Sequence, residues 1–105
     1  MSKIPDELRY VVGEKPPPLT VRYEDDSGTL DDSIAGATLS ALCWLNGGTI
    51  EEVSCTNNDD GTLTIDWSTV TSIFTEAGSL KVRIKVVDGA RLWYMEAFSI
   101  PIETL

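Results

Sequence analysis

The sequence predicts an all-β fold, an immunoglobulin-like antiparallel β-sandwich of six or seven short strands with one short helical crossover. Three observations lead there. Apolar and polar residues alternate with a period of two over short runs, most clearly where Leu80, Val82, Ile84 and Val86 interleave with Lys81, Arg83 and Lys85. Turn signals rich in Gly, Asn and Asp recur roughly every 8 to 12 residues. The chain has 105 residues, which allows one domain with one core. A domain of this size buries about 60 to 70% of the surface its unfolded chain exposes, so few large apolar side chains are spare and a deep cleft is not expected.

Residues 1–18 read as an extended N-terminal arm, and residues 19–105 as the sandwich. Pro5, Gly13 and the triplet Pro16-Pro17-Pro18 oppose helix in the arm and favour extended or polyproline backbone. Within it Leu8, Tyr10, Val11 and Val12 can form an edge strand; the arm is either a frayed terminus or a segment that docks on a neighbour. Residues 19–23 alternate as a strand with one buried face. A polar loop follows, holding Asp25, Asp26, Asp31 and Asp32.

From Ile34 to Leu45 the residues Leu39, Ala41, Cys43 and Leu45 share one face while Leu42 and Trp44 occupy the other, so this strand is expected to be central and covered on both sides. Asn46-Gly47-Gly48 turns the chain, and 57–61 make a second turn, giving two consecutive hairpins. Ser68 can cap a short helix whose Val70, Ile73, Phe74 and Ala77 fall at i, i+3, i+4 and i+7, with Gly78 placed to stop it. The strand ending at Asp88-Gly89 comes next. In the last strand, 91–102, the phase slips near Glu96, because Trp93, Met95 and Ala97 lie on one face whereas Phe98, Ile100 and Ile102 continue the other; a bulge or an edge position is expected there.

Two cysteines, Cys43 and Cys55, raise the question of a bridge. If Gly47-Gly48 is a two-residue turn, Leu45 faces Ile50, Cys43 faces Glu52 and Cys55 lies opposite Ser40, which puts the thiols out of reach of one another. A longer loop could realign them. The opening residues carry acids where a signal peptide needs an apolar run, so synthesis in the cytosol and two reduced thiols are expected.

Composition removes much chemistry. The chain has no His, so Ser-His-Asp, Cys-His and His-metal sites cannot be built. Eight Lys and Arg stand against 17 Asp and Glu, a formal net charge of −9, which argues against a phosphate-backbone partner. No uncharged stretch is long and unbroken enough to span a membrane. Acidic turns invite calcium, but in 56–61 the first ligand position is Thr56, and Trp67 stands where a bidentate Glu belongs. Asp25, Asp26, Asp59 and Asp60 therefore read as turn residues, and no cofactor is expected. Asp66 or Glu76 beside Trp67 could serve glycoside hydrolysis, yet nothing fixes a carboxylate pair at working separation. Trp44, Trp67 and Trp93 read as core or interface anchors in preference to a sugar platform. The expectation is a protein that is not an enzyme.

Charge is segregated along the chain. Between Arg22 and Lys81 there are eleven acidic residues and no basic one. The acids serve solubility, or they complement a basic partner surface. Lys81, Arg83, Lys85 and Arg91 form a separate basic stripe, and such a polar layout suits ordered head-to-tail assembly.

The order of features resembles a known family. It comprises the entry segment 13–23, Leu30-Asp31-Asp32-Ser33-Ile34-Ala35-Gly36-Ala37, the Gly47-Gly48 hairpin, Asp60-Gly61-Thr62-Leu63-Thr64-Ile65-Asp66-Trp67, the link ending Glu76-Ala77-Gly78, the strand 81–86 and the close Phe98-Ser99-Ile100-Pro101-Ile102. This resembles the N-terminal domain of tailed-phage upper baseplate proteins and related small immunoglobulin-like virion domains. The resemblance implies a non-enzymatic structural component of a tailed-phage virion, made in the host cytoplasm and carried in the particle as a neck, tail or baseplate accessory. Its partners would be other virion proteins in a symmetric homo-oligomeric arrangement, with no nucleic acid or membrane. Baseplate proteins of this type use a long C-terminal extension for partner binding; here the contacts are expected from the sandwich and the arm. Capsid decoration and a carbohydrate-binding module for host attachment are the alternative expectations.

Overall fold

A computed structural model describes residues 2–5, 7–70 and 73–104. They form nine strands, β1 (Ser2–Lys3), β2 (Tyr10–Val11), β3 (Leu19–Tyr23), β4 (Thr38–Leu45), β5 (Glu51–Asn57), β6 (Thr62–Ile65), β7 (Gly78–Asp88), β8 (Arg91–Tyr94) and β9 (Phe98–Glu103). The fold is all-β. The strands follow one hydrogen-bonded path, β1-β3-β6-β5-β4-β7-β9-β2, with β8 attached to β7.

The architecture departs from two separate antiparallel sheets. β5 belongs to both halves: its residues 51–54 pair with β4, and its residues 55–57 pair with β6. The sheet curls at this strand, and the core fills the concave side. The sheet is also mixed, because β2 runs parallel to β9, with Tyr10 opposite Ile102 and Val11 opposite Glu103. Alternation places Val21 on β3, Leu63 and Ile65 on β6, Ala41 and Cys43 on β4, and Leu80, Val82, Ile84 and Val86 on β7 at zero exposure inside the curl.

The helical crossover is not found among the described residues. Trp67–Thr69 makes a single 3₁₀ turn capped by Asp66, whose carboxylate accepts from the Ser68 N–H at 2.9 Å. Val70 is already extended, and 73–77 are turns and bends; Thr71 and Ser72 of the expected helix lie outside the described residues. The physical reason lies at Thr69 and Val70, β-branched residues that are poor helix formers. Ile73 is buried in the core.

The first hairpin is shifted by one residue from the expected register. Its turn is centred on Asn46 and Gly47, both at positive φ, and is closed by the Gly48 N–H donating to the Leu45 carbonyl at 2.8 Å. The ladder beyond it sets Cys43 opposite Glu51 and Leu42 opposite Glu52, so an extra residue is taken up between Gly48 and Glu51. The expected phase slip in the last strand is present. β7 pairs Lys85 with Tyr94 but Val82 with Phe98, a change of one residue in register across 95–97.

The N-terminal segment lies on the domain itself. β1 pairs with β3 and β2 with β9. Val12 and Gly13 donate backbone bonds to Glu103 and Phe74 at 2.9 and 2.8 Å. Tyr10 is 4% exposed and packs edge-on to both Trp67 and Phe74.

Candidate functional site

The convex side of β4, β7 and β8 is the most distinctive surface. In an antiparallel ladder, residues directly opposite one another share a face. Trp44 lies opposite Lys81, Leu42 opposite Arg83, and Ser40 opposite Lys85. On the other edge of β7, Lys85 meets Tyr94 and Val87 meets Leu92. Since Val82, Ile84 and Val86 point inward, all of these point outward. Leu92 and Tyr94 are 52% and 50% exposed, and Leu42, Trp44 and Val87 are partly exposed.

β4 was expected to be covered on both faces; it is paired on both edges, but its convex face meets solvent. The missed residues are Val87, Leu92 and Tyr94. Leu42 and Trp44 carried the available signal, since a strand apolar on both phases must cover both or leave one for a partner.

The expected basic stripe is met in three of its four members. Lys81, Arg83 and Lys85 stand in a row on β7. Glu52 accepts from the Ser40 hydroxyl at 2.9 Å and pairs with Lys85 at 3.3 Å; the Ser40 bond first, then Lys85, holds the Glu52 carboxyl below the usual range. Among the described residues no ion pair engages Lys81 or Arg83. Arg91 belongs to the opposite phase of β8, where its guanidinium lies over the Trp93 ring, 5.4 Å from the centroid.

The arm residues expected to bind a partner are largely used within the domain. Tyr10 is buried, and Leu8 and Val12 pack against the core. Val11 is partly exposed.

The acidic residues gather where the β3–β4 loop meets the β5–β6 turn. Asn57 donates to the Ile34 and Ala37 carbonyls at 2.8 and 2.9 Å, and Asp59 accepts from the Gly36 N–H at 2.9 Å. Asp25 accepts from the Ser27 hydroxyl at 2.7 Å, from the Ser27 N–H at 2.9 Å and from the Thr29 N–H at 3.0 Å, and the Ser27 hydroxyl is the largest influence holding its carboxyl below the usual value. Asp31 is lowered by the Ser33 N–H and Asp60 by the Thr62 hydroxyl. These carboxylates terminate turns. Asp26 and Asp32 are exposed. Among the described residues no three His, Cys, Asp or Glu side chains converge as a metal site would require.

Cys43 and Cys55 are free thiols. Cys43 faces Glu51 and Cys55 faces Ile65 across their ladders. Burial pushes each thiol up to about 12, so both are held protonated and unreactive. A hollow of about 490 Å³ lies between the N-terminal strand and β3, lined by Lys3, Ile4, Pro5, Thr20, Arg22, Glu24 and Thr62. Its carboxylate, Glu24, is engaged by Arg22 at 2.8 Å.

No protein-family model matches the chain, and no curated protein matches it.

Proposed function

We propose that the protein is a non-enzymatic structural component of a tailed-phage virion, an accessory of the neck, tail or baseplate built on an immunoglobulin-like sandwich plan and docking on other virion proteins. The observation that carries this reading is the convex face of β4, β7 and β8. It sets Trp44 and Leu42 opposite Lys81 and Arg83, and Tyr94 and Leu92 opposite Lys85 and Val87, with β7 between them. Aromatic and basic side chains over a rigid apolar base are the composition of a protein-binding surface. The acidic turns hold loop backbone, which suits a scaffold more than a reaction centre. The resemblance of its sequence features, in their order and turn composition, to small virion domains supplies the particle context.

Quantitative mass spectrometry of density-purified particles, reading the copy number of this protein against the major capsid protein, tests the proposal. A small number matching tail symmetry is expected. Near-capsid stoichiometry would move the protein to shell decoration. Absence from particles would overturn the reading.

A further inference from the structure

The convex β4–β7–β8 face has a candidate occupant on the same molecule. We infer that this face binds the acidic loop end of a second copy of this chain, so that copies associate head to tail. The inference deepens the structural-protein reading by naming the partner of its docking face, and it is tested on isolated protein.

The face needs a partner that covers apolar side chains and brings negative charge. Leu42 and Trp44 on β4, and Leu92 and Tyr94 on β8, present two apolar patches on either side of β7, held in place by its ladders. On β7, Arg83 and Lys85 stand between the two patches and Lys81 stands beside Trp44; Lys81 and Arg83 have no ion pair among the described residues. Lys81 and Arg83 concentrate positive charge locally on a chain of net charge −9.

The acidic loop end has the complementary character. Six carboxylates, Asp25, Asp26, Asp31, Asp32, Asp59 and Asp60, come from two segments locked together through Asn57, Asp59 and the Tyr23–Gly61 and Asp31–Tyr23 backbone bonds. Four of them already hold turns, so the end is preorganised and little ordering cost accompanies docking. Asp26 and Asp32 are left projecting.

The loop end joins β3 to β4 and β5 to β6, whereas the convex face lies on β4, β7 and β8. The contact is therefore between unlike surfaces of two copies, which is heterologous and propagates as a ring or a row. The like net charge of the copies opposes association at long range, so the contact is short-ranged and modest in strength, suited to copies concentrated by assembly.

Sedimentation velocity of the full chain over a range of concentrations tests the inference. Reversible, concentration-dependent association is expected, and a chain that stays monomeric throughout overturns it. Replacing Lys81→Glu with Arg83→Glu should weaken association about tenfold or more, as should Asp26→Lys with Asp32→Lys; unchanged association in either double variant overturns the inference. Both sets are exposed positions, and thermal melts confirm that the variants fold. The deciding measurement mixes the two double variants. Each alone is weakened, but the acidic end of the first still matches the basic face of the second, so the mixture should regain association. A mixture that stays dissociated means that the loop end is not the occupant, whatever the outcome of particle mass spectrometry.

Discussion

The Trp67 indole N–H donates to the Tyr10 hydroxyl at 3.0 Å, across 57 residues of sequence, with both rings nearly excluded from water. The bond completes a three-ring cluster with Phe74, in which every pair is edge-on and centroids lie 5.2 to 6.0 Å apart. The N-terminal segment is thereby a structural part of the core. Tyr10→Phe should cost about 1 to 3 kcal/mol, because it strands the buried indole N–H, and Tyr10→Ala about 3 to 5 kcal/mol, because it also leaves a cavity. Urea unfolding of the two variants measures both, and equal stability of Tyr10→Phe and the parent would show that the bond contributes nothing.

Asn57 fixes the long β3–β4 loop. Its amide reaches two carbonyls and its Oδ1 accepts from the Asp59 N–H at 3.0 Å. Asn57→Ala should destabilise by about 1 to 3 kcal/mol and expose the amides of 34–37 to faster hydrogen exchange. Protection unchanged in that loop would contradict the assignment.

Gly78 cannot carry a side chain. Its φ is +147°, and a Cβ there would collide with the Asn46 side chain, which donates to the Ala77 carbonyl and accepts from the Ser79 N–H, both at 3.0 Å. Gly78→Ala should therefore lower stability by more than about 1 kcal/mol, since strain at Gly78 and loss of the Asn46 bonds act together. In a background of Asn46→Ala the same substitution should cost less, which a double-mutant cycle reads directly.

Stability should fall at both extremes of pH, for different reasons. The Cys43 and Cys55 thiols rise from an unfolded value of 9.0 to about 12 on folding, so the native state keeps protons that the unfolded chain releases. Their contribution is complete below about pH 9 and is lost as pH rises toward 12, at about 1.4 kcal/mol per pH unit for each thiol. Asp25, Asp31, Glu52, Asp60 and Asp66 shift the opposite way, so their contribution is present above the ordinary carboxylate range and is lost as pH falls through the lowered native values. Replacing both cysteines by Ala should flatten the alkaline limb of stability against pH and leave the acid limb unchanged.

Local alternation made the strands legible. The buried Leu80, Val82, Ile84 and Val86, the two hairpins and the phase slip before Phe98 follow from a pattern with a period of two. The curl at β5 was not legible, because partners on either side of one strand are a tertiary choice that no local pattern encodes. The 3₁₀ turn at Trp67–Thr69 shows the opposite failure. Apolar spacing suited a helix, but the β-branched Thr69 and Val70 end the turn, with Val70 already extended. Of the candidate site, the cations Lys81, Arg83 and Lys85 were readable, whereas Leu92 and Tyr94 became surface residues only once β8 was placed on the rim of β7.

The parallel pairing of β2 with β9 gives the domain a mechanical character. Force drawn through residues ahead of Tyr10 and beyond Glu103 pulls the two strands past each other, so the Val12–Glu103 backbone bond, the Arg9–Glu103 ion pair and the Tyr10 ring in its socket are loaded together in shear. An antiparallel edge pulled from the same two points would open one bond at a time. Tension applied to the domain from these two points is resisted until these contacts yield together.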